Sequence, residues 1–98
     1  MESPPDGTRP KFPLGRLVAT LGALELIQGE GREPMEFVER HVKGDRGDLD
    51  EPDRLANDQA LLHGGRLLSS YKVVGEERVW VLTESDRSAT TILLPSDY

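Results

Sequence analysis

Five side chains in this 98-residue chain are candidates for action on RNA by their type and place: His41, Arg66, Tyr71, Arg87 and Thr90. Imidazole, phenol and hydroxyl groups donate or accept protons, and guanidinium groups clamp phosphate charge. Placed together on an antiparallel sheet, they would make a small toxin-like ribonuclease. A second set, Tyr71, Trp80, Glu84, Asp86, Arg87 and Thr91, is spread over three β-rich runs and the last hairpin turn, where a polar and aromatic sheet face could bind a partner. Strand side chains alternate between faces, so the phase of the sheet decides which of these meet. Val79 and Val81 flank Trp80. If they fill the core, Trp80 lies on the open face.

Other constellations fail on spacing. The run Asp45, Asp48, Asp50, Glu51 and Asp53 is acidic enough for calcium, but Pro52 and Asp53 stand where a ligand and a glycine are needed. Helix capping explains it better, with Asp50 as N-cap and Glu51 and Asp53 at the positive end of the dipole. His41 and His63 are the only histidines, they fall on different helices, and no zinc spacing joins them. His41, in the last turn of its helix, suits the negative end of the dipole if protonated. Ser69-Ser70 lacks the strained turn of a hydrolase nucleophile, and no glycine-rich phosphate loop is present. Arg46-Gly47-Asp48 spells the tripeptide read by integrins, without any sign of export. No cofactor and no metal is expected.

The net charge of −6 is unevenly spread. Residues 25–58 carry eleven acids and five bases, whereas residues 59–98 carry five acids and four bases. Bulk charge therefore disfavours nucleic acid, although the nearly balanced C-terminal part would still admit an anion. The acidic stretch, with Glu36, Glu39, Asp48 and Asp53 on its helices and loop, suits a basic protein partner. The absence of cysteine excludes disulfides and thiolate chemistry. No apolar run approaches the roughly 20 residues of a membrane span, and no secretory pattern opens the chain, so a cytoplasmic protein is expected.

The elements that must position these residues are legible from caps and periodicity. Residues 1–13, with four prolines, read as a flexible arm, and residues 14–98 as one domain. Leu17–Thr20 is extended. Thr20 caps a helix from Leu21 whose apolar residues are Leu21, Leu24, Leu26 and Ile27. Pro34 opens a second helix with Met35, Val38 and Val42 inward and Phe37 at the border. Asp50 caps a third with Leu55, Ala56, Ala60, Leu61 and Leu62 inward. Three β-rich runs then follow, broken by turns at Gly75-Glu76-Glu77 and Ser85–Ser88. The expected fold is α+β, two to three N-terminal helices on one face of a C-terminal three-stranded antiparallel β-meander.

Several blocks carry a resemblance: Arg40-His41-Val42-Lys43-Gly44-Asp45, Gly47-Asp48-Leu49-Asp50, Asn57-Asp58, Gly65-Arg66-Leu67-Leu68-Ser69-Ser70-Tyr71, Trp80-Val81-Leu82-Thr83-Glu84, and Asp86 through Pro95 followed by Tyr98. Together they resemble a family of small bacterial proteins from plasmid- and phage-rich contexts. The family carries tryptophan where this chain has Arg46. The resemblance implies association with mobile elements and no particular activity. With the uneven charge, it makes a small acidic accessory protein acting through protein–protein contact, conceivably against a defence system, the leading expectation; a homodimer formed through the outer sheet face is a further one.

Overall fold

Two of the three helices begin where a side chain can satisfy a free backbone donor. The computed structural model describes residues 11–98; the part of the expected arm in residues 1–10 lies outside the described residues. Helix α1 (Leu21–Gly29) starts with the Thr20 hydroxyl accepting from the Ala23 amide at 3.3 Å. Helix α3 (Glu51–His63) starts with the Asp50 carboxylate accepting from the Asp53 amide at 3.3 Å. Helix α2 (Pro34–Val42) relies on proline in its first turn and has no side-chain cap at Glu33. Among the described residues, no helix is long and apolar enough to cross a membrane.

Strands β2 (Leu67–Val74), β3 (Glu77–Thr83) and β4 (Ala89–Leu93) form the expected antiparallel meander. The sheet nevertheless has four strands. The extended segment β1 (Arg16–Ala19) pairs parallel with β4, giving the order β1-β4-β3-β2. A parallel neighbour needs a long crossover, and the three helices, with the rest of the chain between β1 and β4, provide it. Nothing local to residues 16–19 specifies that distant partner. Gly15 makes the approach possible. It has φ 65°, and a Cβ there would overlap the Arg87 and Ser88 carbonyls.

The register fixes the faces. Val79 and Val81 are buried beneath the helices with Tyr71, Val73 and Ile92, against Ala23, Ile27, Phe37 and Val38. Trp80 therefore faces outward, beside Ser70 and Leu93. Tyr71 does not, and its placement on the outer face is corrected: it is almost fully buried on the helix side. Three other expectations change. Phe37 is core rather than border, and Met35 is exposed instead. In α3, Leu55 and Leu62 are exposed and the buried residue is Asn57, whose amide oxygen accepts from the Leu68 amide at 2.6 Å. Phe12, expected in the arm, packs with Val42 and Leu67, and the Lys11 amide donates to the Val42 carbonyl at 2.8 Å.

The outer edge of β2 is not left open. The Ser70 amide donates to the Arg46 carbonyl at 3.1 Å, and the Asp48 amide donates to the Ser70 carbonyl at 2.9 Å. Gly47 lies between them at φ 70°, and a Cβ there would overlap the Ser70 carbonyl. Gly47→Ala is therefore expected to destabilise the fold by about 2 kcal/mol or more, read as a lower urea midpoint.

Candidate functional site

With the sheet phased this way, the polar residues of the inner face form one continuous chain of hydrogen bonds. Thr90 donates its hydroxyl proton to the Leu14 carbonyl at 2.8 Å, because a carbonyl can only accept. Thr83, 2.7 Å from the Thr90 oxygen, must then donate to it. The His41 Nε2, 2.9 Å from the Thr83 oxygen, must carry a hydrogen. That leaves Nδ1 as an acceptor for the Ser69 hydroxyl at 2.6 Å. One carbonyl thus sets the direction of four hydrogen bonds and assigns His41 the neutral Nε2–H tautomer.

Ser69 and His41 have the separation of a nucleophile and its base, but neither side chain is accessible. Both are fully buried, and Phe12 packs edge-on to the imidazole with ring centroids 5.2 Å apart. Desolvation, helped by the Arg46 charge, pushes the His41 pKa down to about 3. The expected protonated histidine at a helix end is corrected accordingly: His41 is a neutral core residue. Tyr71 is also withdrawn. Its hydroxyl donates to the Asp45 carbonyl, Arg40 lies over its ring at 4.4 Å, and burial pushes its pKa up to about 12.

Arg87 is turned inward as well. Residue 87 has φ 61°, the only positive value outside glycine among the described residues. Its guanidinium donates to the carbonyls of Gly65 and Ala60 at 2.5 and 3.1 Å and to those of Glu84 and Ser85, tying the β3–β4 turn to the end of α3. The Ser88 hydroxyl, and after it the Ser88 amide at 3.0 Å, hold the Asp86 carboxyl below the usual range. Arg66 does reach the surface, where it donates to the Tyr98 hydroxyl at 2.6 Å and lies 3.7 Å from Glu84. The five residues of the ribonuclease reading are therefore not presented together, since His41, Tyr71 and Thr90 are sealed in. Of the proposed sheet face, Trp80, Glu84 and Thr91 remain half-buried on the outer side, with Trp80 edge-on to Tyr98 at 5.7 Å.

Half of the named acidic side chains are already partnered. Glu36 pairs with Arg32, which holds its carboxyl low, and Asp48 pairs with Arg78 at 2.9 Å. Glu39 and Asp53 are exposed, and the Asp50 charge raises the Asp53 carboxyl. The concentration that spacing did not reveal lies elsewhere. Glu25 of α1, Glu76 of the β2–β3 turn and Glu77 at the start of β3 line one groove of about 760 Å³, with Leu26, Leu94 and Pro95 also lining it. Among the described residues the one base lining it, Arg78, is held by Asp48 at 2.9 Å and lies 3.8 Å from Glu76. Residues 25 and 77 are too far apart in sequence for any local pattern to pair them. Compared with the sequence profiles of protein families, with curated proteins and with solved structures, the chain gives no match.

Two predictions follow from the buried polar residues. A native pKa of about 3 for His41 lies below the ordinary histidine value of about 6.5, so the unfolded state binds the proton first. The stabilisation from the neutral ring is complete above about pH 6.5 and is lost as pH falls toward about 3, at up to roughly 1.4 kcal/mol per pH unit. Urea titrations across that range should show this slope in the wild type and a flatter one in His41→Gln, and ring ¹⁵N shifts should report the Nε2–H tautomer. Arg46 is a buried cation whose Nε has no partner, and desolvation lowers its pKa. Arg46→Met should raise stability by about 1 kcal/mol or more, measured as the urea midpoint, because it removes an uncompensated buried charge.

Proposed function

We propose that this chain is a non-catalytic interaction module whose acidic groove receives a basic, partly apolar segment of another protein. The observation that carries this reading is that Glu25, Glu76 and Glu77 line one groove with apolar walls, where the only base among the described residues is already engaged by Asp48. Glu25 and Glu77 have no ion-pair partner among the described residues. A lysine or arginine side chain entering here would gain charge complementarity at its head and apolar contact along its stem. The groove is broad enough for several side chains, so the natural ligand is a segment rather than a single amine.

The same reading explains what the interior is doing. Side chains that resemble catalytic groups serve to hold the sheet to the helices, and exposed charge is left to the surface. This accords with an accessory protein of the plasmid- and phage-associated kind that its sequence blocks resemble, working in the cytoplasm by occupying a basic surface of a host or element protein.

The test is a titration of the protein with an amphipathic peptide of alternating lysine and leucine, followed by amide chemical shifts and calorimetry. Shifts should concentrate on Leu26, Glu76, Glu77 and Ser96, and binding should weaken as salt rises. Glu25→Lys combined with Glu77→Lys should weaken it about tenfold or more, while Glu39→Lys with Asp53→Lys should have a much smaller effect. Equal losses from both pairs would mean bulk charge rather than a groove. RNA cleavage by the purified wild-type protein would overturn the non-catalytic reading.

A further inference from the structure

The two edges of the sheet are treated differently. The β2 edge is closed by the Gly47 bridge, but among the described residues no segment pairs on the outer side of β1. The Arg16 amide donates inward to the Ser88 carbonyl at 3.0 Å, and the Thr20 amide donates inward to the Ile92 carbonyl at 2.9 Å. Strand alternation then turns the amide and carbonyl groups of Leu17 and Ala19 outward. Exposed edges are normally guarded by charge, proline or a bulge. Here Leu17 and Val18 are 47% and 42% exposed, and Met35 of α2 is 45% exposed nearby. A small cavity of about 120 Å³ also opens at this edge, lined in part by Ala19, Met35, Val38 and Ile92.

We infer that the β1 edge pairs antiparallel with the β1 edge of a second copy of this chain, making one eight-stranded sheet. A two-fold axis through Val18 places Leu17 opposite Ala19 of the second copy, and the reverse. Both are outward-facing residues, so each pair exchanges two hydrogen bonds and all four free groups on each edge are used. Val18 then meets its own copy at the closer, non-hydrogen-bonded position on the outer face. On the inner face Leu17 is carried toward the cavity beside the small Ala19, a match of large against small that the symmetry repeats.

Charge selects this occupant. Each copy carries −6, yet residues 14–24 contain one base, Arg16, and no acid. This is the part of the described chain where two acidic copies can approach with least repulsion. In the same register Arg16 falls opposite Thr20, so no like charges are juxtaposed. A strongly basic peptide, by contrast, would find no acidic partner on this strand. The proposal concerns a different surface from the acidic groove and does not depend on it.

The test is sedimentation velocity and light scattering on the full chain over a dilution series, with hydrogen exchange of the Leu17 and Ala19 amides. A dimer that dissociates on dilution is expected, and the two amides should be protected only at concentrations where it forms. Leu17→Pro removes an outward donor while leaving the inward bonds of β1 intact, and Val18→Lys places two like charges at the axis. Both variants should remain monomeric at concentrations where the wild type is dimeric, with unchanged circular dichroism. A wild type that stays monomeric with both amides exchanging freely would overturn the proposal. So would folded Val18→Lys and Leu17→Pro variants that still dimerise like the wild type.

Discussion

The buried hydrogen-bond chain through His41 is the constraint around which the fold is arranged. It runs from β2 at Ser69 through α2 at His41 to β3 at Thr83, β4 at Thr90 and the segment before β1 at Leu14. Five separate parts of the chain must be in register for it to close. Each member left without a partner in a low-dielectric interior would cost about 1–3 kcal/mol, so partial formation is worse than none. Apolar packing alone would tolerate small slips between helices and sheet. A directed polar chain does not, and it supplies specificity that a small core of aliphatic residues lacks.

Two arginines provide a second layer of specificity by donating to backbone carbonyls. Arg87 is bonded to four carbonyls at the junction of α3, Gly65 and the last turn. Arg32 donates to the Val73 carbonyl at 3.1 Å, where the β2–β3 register shifts between Lys72 and Val74, while also pairing with Glu36. A guanidinium can satisfy several acceptors at once in fixed geometry, which a lysine cannot. Arg46 departs from this pattern. It is buried, donates to the His41 carbonyl at 3.3 Å, and keeps an unpartnered Nε near Phe12. A flat apolar side chain would suit that place better, because it would need no polar partner there.

The readable parts of the sequence were those governed by near neighbours. Thr20 and Asp50 announce helix starts because a cap acts over three residues, and Val79 and Val81 announce the sheet phase because alternation is local. The parallel pairing of β1 was hidden, since strands that neighbour each other across a helical crossover leave no short-range mark. The inward placement of Tyr71 was obscured by Ser69 and Thr83, polar residues at buried positions whose partner His41 lies far away in sequence. Leu55 and Leu62 misled in the opposite sense: they stay exposed, and α3 is docked by the Asn57 amide together with Ala60 and Leu61. The groove was invisible for the same reason as β1, because Glu25 and Glu77 meet only after the sheet has formed.

The pairing of β1 with β4 also has a consequence for the order of events during synthesis. The first strand leaves the ribosome well before its partner, with all three helices and two other strands made between them. Contacts so distant in sequence close slowly and late. Until Thr90 arrives, the Thr83 hydroxyl and the strand after Gly15 lack their bonding groups, and a chain interrupted in the final turn would keep its edge and its polar core open. Such a product should be a ready substrate for cellular proteases. The distant strand pair thus makes completion of the sheet and of its polar core wait on the synthesis of β4 through Leu93.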